Sequence, residues 1–140
     1  MSAVLSNHIR SLELYLWRSG ARVVRADLPE CVHGRSLRDL ITLRQNLDPK
    51  EQLSTLVHEL THWLAHRESS ESGTQYTVFE YEAEAVEALV MDYLGIQRPG
   101  NAAPTLESES PTDDLLLSSV ERVTATSRRI CDVLESGRSG

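Results

Sequence analysis

No apolar run in this chain approaches the roughly 20 residues that a membrane-spanning helix needs, so a helical membrane protein is excluded. The opening Met1-Ser2-Ala3-Val4-Leu5-Ser6-Asn7 lacks the basic-then-apolar pattern of a secretory signal, and the chain is expected in the cytoplasm. Cysteine is scarce. Cys31 and Cys131 stand far apart with no CxxC, which implies no disulfide framework; both are expected to be thiols, Cys31 in a loop and Cys131 in a helix near the core. Cys31 and His33 are too few to argue for a second metal pair. Basic charge is in deficit: 14 Lys and Arg against 21 Asp and Glu give a net charge of −7. Non-specific nucleic-acid binding needs clustered Lys and Arg to displace counterions, so no direct nucleic-acid partner is expected. Arg22, Arg25, Arg35, Arg38 and Arg44 form a local basic stretch, read as solvating two amphipathic strands. Internal repeats are absent. At 140 residues, with 40% hydrophobic and 25% charged, the chain suits one soluble globular domain over 1–140. Nothing in the sequence speaks to oligomeric state.

What is present is a pentapeptide, His58-Glu59-Leu60-Thr61-His62, with the pattern HExxH. On a helix the two histidines fall at i and i+4, so both imidazoles leave the same side one turn apart. That spacing lets two neutral ring nitrogens hold one zinc ion. Glu59 then lies beside the metal, where it can accept a proton from an attacking water. Asp48-Pro49 is a helix-start signal, with Asp48 as cap and Pro49 in the first helical position. From there Leu53, Leu56, Val57, Leu60 and Leu64 recur at helical spacing and form one apolar stripe. His58, His62 and His66 lie on the opposite side, so core face and ligand face are separate.

A catalytic zinc site needs a third protein ligand and an open position. A third histidine six residues past the second is not available, because Glu68 occupies that place. His66 is one turn further along the helix, a poor ligand, and is read as a partly exposed residue at the helix end. Downstream, Phe79 to Leu94 reads as a helix of Ala, Glu and Leu ended by Gly95. Glu80, Glu84 and Glu87 share one stripe beside an apolar stripe of Ala83, Val86, Val90 and Leu94. Aligned carboxylates repel one another unless a positive group faces them. One ligand with supporting carboxylates fits that arrangement, and spacing alone does not say which is the ligand.

HELTHWLAH, followed by EYEAEAVEALVMDYLGI, resembles the ImmA/IrrE family of metallopeptidases and the related metallopeptidase domain of ArdC-type antirestriction proteins. The preceding Gly20-Ala21-Arg22-Val23-Val24, Leu28-Pro29, Gly34 and Leu40-Ile41-Thr42-Leu43 also follow the family's order, and Asp113 to Leu134 resembles the closing helix of the ArdC-like group. The resemblance implies a zinc site of His58, His62 and Glu80, with Glu84 as the alternative ligand or a supporting carboxylate. Thr61 departs from the family's frequent Gly before the second histidine. Many members also carry a DNA-binding segment; none is recognisable here, which weakens any DNA-linked role.

The remaining elements are read as follows. Val4 to Trp17 is a helix with Leu5, Ile9, Leu12 and Leu16 on one face. Ala21–Ala26 and Leu37–Leu43 are strands, the second interrupted by Asp39. The metal helix runs from Pro49 to His66. Glu68 to Thr77 is a loop, residues 97–111 are a mobile linker, and 135–140 a disordered tail. The last helix starts at Thr112 or Asp113, with Leu116, Val120, Val123, Ile130 and Leu134 as its stripe. The fold class is therefore α+β: a mainly helical, zincin-like domain with a small sheet beside the HExxH helix. By resemblance, an edge strand in the Leu37–Leu43 region presents backbone to an extended peptide. The expected activity is zinc-dependent hydrolysis of a peptide bond in a specific protein substrate, with Glu59 as general base. Tyr76, Tyr81 and His33 are candidates for stabilising the oxyanion. Two other roles share the site: a metal-binding regulatory or sensor module with little turnover, and a phage- or plasmid-borne effector or toxin.

Overall fold

The computed structural model describes residues 3–66, 74–97 and 113–139. Helix α1 (Ala3–Arg18) leads into strand β1 (Arg22–Ala26) and the strands β2 (Gly34–Leu37) and β3 (Leu40–Arg44). Helix α2 (Pro49–Thr61) follows and passes into a π-helical turn, His62–His66; α3 (Thr74–Leu94) and α4 (Asp113–Ser139) complete the chain. The result is the expected mainly helical α+β domain with a small sheet. Among the described residues no helix is long and apolar enough to cross a membrane.

The sheet order is β1-β3-β2, with β1 parallel and β2 antiparallel to β3. The single strand expected over Leu37–Leu43 is instead a tight hairpin. Arg38 turns with φ 55°, and the pairing Leu37↔Leu40 closes the loop around Asp39. Asp39 is the reason the interruption is stable. Its backbone carbonyl accepts from Arg22 N at 2.9 Å, and its carboxylate accepts from the Trp63 indole N–H at 2.9 Å. The hairpin is thus tied both to β1 and to the far end of the HExxH helix. Because β3 is central, the edge belongs to β2.

Helix α2 starts as its sequence dictates. Asp48 accepts from Glu51 N at 3.0 Å while the Glu51 carboxylate accepts from Asp48 N at 3.4 Å, a capping box with Pro49 just inside. Leu53, Leu56, Val57 and Leu60 are fully buried and join Ile9, Leu12, Leu16, Ile41, Leu43, Val86, Val90, Met91, Ile130 and Leu134 in one core. Four fully buried Leu and Val side chains at about 1.5–3 kcal/mol each hold α2 against the sheet and helices. Its approach to β2 is close: a Cβ on Gly34 would stand 2.6 Å from Thr55 Cγ2 and 3.2 Å from Glu59 Cγ. Only glycine lets the strand pass there.

Two expectations about helix limits change. Helix α3 begins at Thr74, so the loop expected up to Thr77 has already become helical. Helix α4 runs to Ser139, and the tail expected from Glu135 continues it. Tyr93 donates to the Glu135 carboxylate, and Gly137 lets α4 approach Ser11 of α1. The buried face of α4 carries Ser119, Val123, Thr126, Ser127, Ile130 and Leu134, leaving the expected core residue Val120 60% exposed. The linker expected over 97–111 lies outside the described residues beyond Gln97. Of the basic stretch, Arg25 pairs with Glu13, and Arg44 donates to the Val32 and Pro29 carbonyls. Cys31 and Cys131 are free thiols, exposed and half-buried.

Candidate metal centre

Helices α2 and α3 pack side by side, and their facing polar stripes meet beneath β2. His58 and His62 come from α2, one turn apart, with ring centroids 5.1 Å apart. Glu80 reaches across from the start of α3. Its Oε1 lies 2.9 Å from His62 Nε2 and its Oε2 lies 3.3 Å from His58 Nε2. One ligand atom from each of the three can be chosen so that all lie within 4.8 Å of one another. Two imidazoles and a carboxylate form a donor set that suits zinc.

The electrostatics follow from that convergence. Burial disfavours the imidazolium of His58, but the carboxylates of Glu80 and Glu87 outweigh it and push His58 up to about 10. Burial would raise Glu80, yet hydrogen bonds from His58 and His62 hold it well below the usual carboxylate range. Burial raises Glu59, partly opposed by the neighbouring histidines, which gives a more basic carboxylate than one in water.

These groups open into a cavity of ≈ 720 Å³ lined by His58, Glu59, Glu80, Glu84 and Glu87 below and by Cys31 to Gly34 above. Glu59 is 8% exposed and shares this cavity with His58 and Glu80, while His62 lies behind its wall. Glu84 lines it without belonging to the converging group, whereas Glu87 Oε1 sits 3.3 Å from His58 Nδ1. Of the three candidate oxyanion groups, His33 is exposed in the cavity wall. Tyr81 is half-buried on α3 and is not among the lining residues. The Tyr76 side chain lies outside the described residues.

The reading of His66 as a surface residue is overturned. Its side chain is fully buried. Its Nδ1 lies 3.0 Å from His62 Nδ1, its Nε2 lies 2.8 Å from Glu82 Oε1, and its ring stacks on Phe79 at 4.0 Å. The π-helical turn is what differs from expectation: the helix widens over residues 62–66 and brings His66 under His62 rather than out to solvent. Thr61 Oγ1 donates to the Val57 carbonyl at 2.8 Å where the α pattern gives way, a bond that competes with the helix ladder. Glu82, Ser119 and Arg122 were also missed. Nothing local marks them, because their partners come from separate helices. Only the i, i+4 run His58, His62, His66 was a visible signal.

The model of the peptidase family M78, described as IrrE N-terminal-like domain, matches residues 18–97, more than half of the chain. No curated protein and no solved structure matches it significantly. The matched span contains the HExxH helix, the hairpin above it and Glu80. The metal-ready histidines, the facing carboxylate and this match agree, and the chain belongs to the IrrE N-terminal-like family of metallopeptidases.

Proposed function

We propose that the protein is a zinc-dependent endopeptidase that cleaves a specific protein substrate. The observation that carries this reading is the convergence of His58, His62 and Glu80 beside a cavity that His58, Glu80 and Glu59 line. Zinc, when bound, supplies Lewis-acid chemistry, activating water and polarising the scissile carbonyl. His58 and His62 would hold it through ring nitrogens and Glu80 through its carboxylate. Glu87, beside His58 Nδ1, keeps that ring's proton on the nitrogen away from the metal. Glu59 takes the proton of the attacking water and later delivers it to the leaving amine; its raised basicity suits both transfers. His33, exposed in the opposite wall, is available to donate to the developing oxyanion. The exposed edge of β2 runs above the site, where its backbone can pair with an extended peptide.

The carboxylate between the two histidines favours turnover over a purely structural or sensing role, since a site that only holds metal has no use for a base in the cavity. Glu59→Gln tests this. It removes the proton acceptor at nearly constant volume. Zinc content by elemental analysis should stay at one per chain, while cleavage of a peptide library that the wild type cuts should vanish. Cleavage at the wild-type rate would remove the general-base role. A wild type that binds zinc and cuts nothing would favour the regulatory module.

A further inference from the structure

Behind His62, on the side away from the cavity, lies a buried polar chain that the proposed chemistry does not use. His62 Nδ1 faces His66 Nδ1 at 3.0 Å, and His66 Nε2 faces Glu82 Oε1 at 2.8 Å. Glu82 Oε2 accepts from Ser119 Oγ at 2.5 Å and Arg122 Nη2 at 2.8 Å, and Arg122 Nε reaches both carboxylate oxygens at 3.0 and 3.1 Å. His66 and Glu82 have side chains 0% and 1% exposed. The Arg122 side chain is part-exposed, but a buried carboxylate and a buried imidazole are costly unless each is paired. Here both are, and the chain ends at a nitrogen of a metal-ready histidine.

We propose that Arg122, Ser119, Glu82 and His66 are positioning residues that lock the His62 imidazole in the tautomer with its proton on Nδ1, so that the Nε2 lone pair faces the metal. The inference rests on the metallopeptidase reading and adds that α4, which lies beyond the matched residues 18–97, completes the metal centre.

The direction of the chain follows from donor and acceptor counts. Arg122 has only donors, and the Ser119 hydroxyl points its proton at the same carboxylate, so Glu82 accepts at both oxygens. His66 Nε2 must therefore donate. A neutral imidazole has one donor and one acceptor, which makes His66 Nδ1 the acceptor. The group facing it is His62 Nδ1, which must supply the hydrogen, so Nε2, which faces Glu80 at 2.9 Å, is the nitrogen left for the metal. A proton on both facing Nδ1 atoms would set two N–H groups against each other at 3.0 Å. The opposite direction would put the His62 proton on Nε2, where it blocks the metal. Phe79, stacked on His66 with the rings 15° apart, holds the intermediate ring in plane.

Glu82→Gln inverts this wiring at almost constant volume. The amide oxygen is drawn to the Oε2 position, where Ser119 and Arg122 both donate, and the NH₂ is turned toward His66. His66 Nε2 must then accept, its Nδ1 must donate, and the His62 proton moves to Nε2. Zinc affinity, measured by competition with a chromophoric chelator, should fall about 10–100-fold, as expected for loss of a partner to a metal ligand. Long-range ¹H–¹⁵N spectra of the zinc-loaded protein should show the protons on His62 Nδ1 and His66 Nε2 in the wild type, and the His66 proton moved to Nδ1 in the variant. Ser119→Ala/Arg122→Met loosens Glu82 from α4 without reversing polarity; it should weaken zinc less than Glu82→Gln, but measurably. Thermal melting without metal shows which variants fold. If Glu82→Gln does not fold, the α4 double variant carries the test. Folded variants with lower apo Tm but wild-type zinc affinity and tautomer would show a purely structural network and overturn the inference. A wild type that binds no zinc would overturn the metallopeptidase reading itself.

Discussion

Replacing Gly34 by alanine tests how tightly β2 is built onto the HExxH helix. The new Cβ would stand 2.6 Å from Thr55 Cγ2, and 3.2 Å from both Glu59 Cγ and the Thr42 carbonyl. The Thr42 oxygen belongs to the central strand and has little freedom, so the strain must be relieved on the α2 side. Overpacking of this kind costs about 1–3 kcal/mol. The substitution also stiffens the unfolded chain, which offsets about 0.4–1 kcal/mol. The net loss is about 1–2 kcal/mol, a fall in Tm of roughly 3–8 °C for a domain of this size. The assay is a double-mutant cycle with Thr55→Ser, which deletes the clashing methyl and keeps the hydroxyl. In the Thr55→Ser background Gly34→Ala should cost little. Where proteolysis is measured, displacement of Glu59 should reduce it more than stability, since about 1 Å of misplacement can cost 10²-fold. Equal destabilisation by Gly34→Ala in both backgrounds would refute the close-approach argument.

Much of this arrangement could be read before the structure because the chemistry restricts spacing. The HExxH spacing puts His58 and His62 on one side of a helix, and Leu53, Leu56, Val57 and Leu60 fall opposite them and anchor it. The Asp48–Glu51 cap was equally visible, since both partners lie within four residues. The hairpin was hidden because alternation reads through residues 37–43 without showing that Arg38 takes a left-handed conformation. The π-helical turn was hidden for a different reason: side-chain periodicity assumes an α register, and the wider turn moves His66 from solvent to interior. The chain from His66 to Arg122 depends on α3 and α4 meeting, a contact between positions some forty residues apart. Val123, Ile130 and Leu134 of α4 keep to the expected stripe; only near its start does Ser119 turn inward to Glu82 while Val120 is left outside.

Three further outcomes are expected. Glu80→Gln should abolish stoichiometric zinc binding, while Glu84→Gln should leave most of it; zinc retained by Glu80→Gln and lost by Glu84→Gln would reverse the ligand assignment. Glu87→Gln should weaken zinc about 10–100-fold through His58, and chelator competition with unchanged affinity would remove that supporting role. The last concerns acid stability. Burial opposes the Glu82 carboxylate, but hydrogen bonds from His66, Arg122 and Ser119 hold it down to about 2, against 4.5 for an unperturbed glutamate. A depressed carboxylate binds fewer protons folded than unfolded, so its contribution is present above pH 4.5 and is lost as pH falls toward 2. The full difference corresponds to about 3 kcal/mol, of which about 2 kcal/mol should disappear between pH 5 and pH 3. Glu80, also held low in the folded chain, adds to the loss of stability on acidification, so the wild type alone does not isolate the effect. Urea midpoints of chelator-treated wild type and Glu82→Gln, compared at both pH values, do: the stability gap between them should narrow by about 2 kcal/mol on acidification. Parallel pH profiles for the two proteins would mean that Glu82 titrates alike in the folded and unfolded chain, and that Arg122 and Ser119 do not hold its charge.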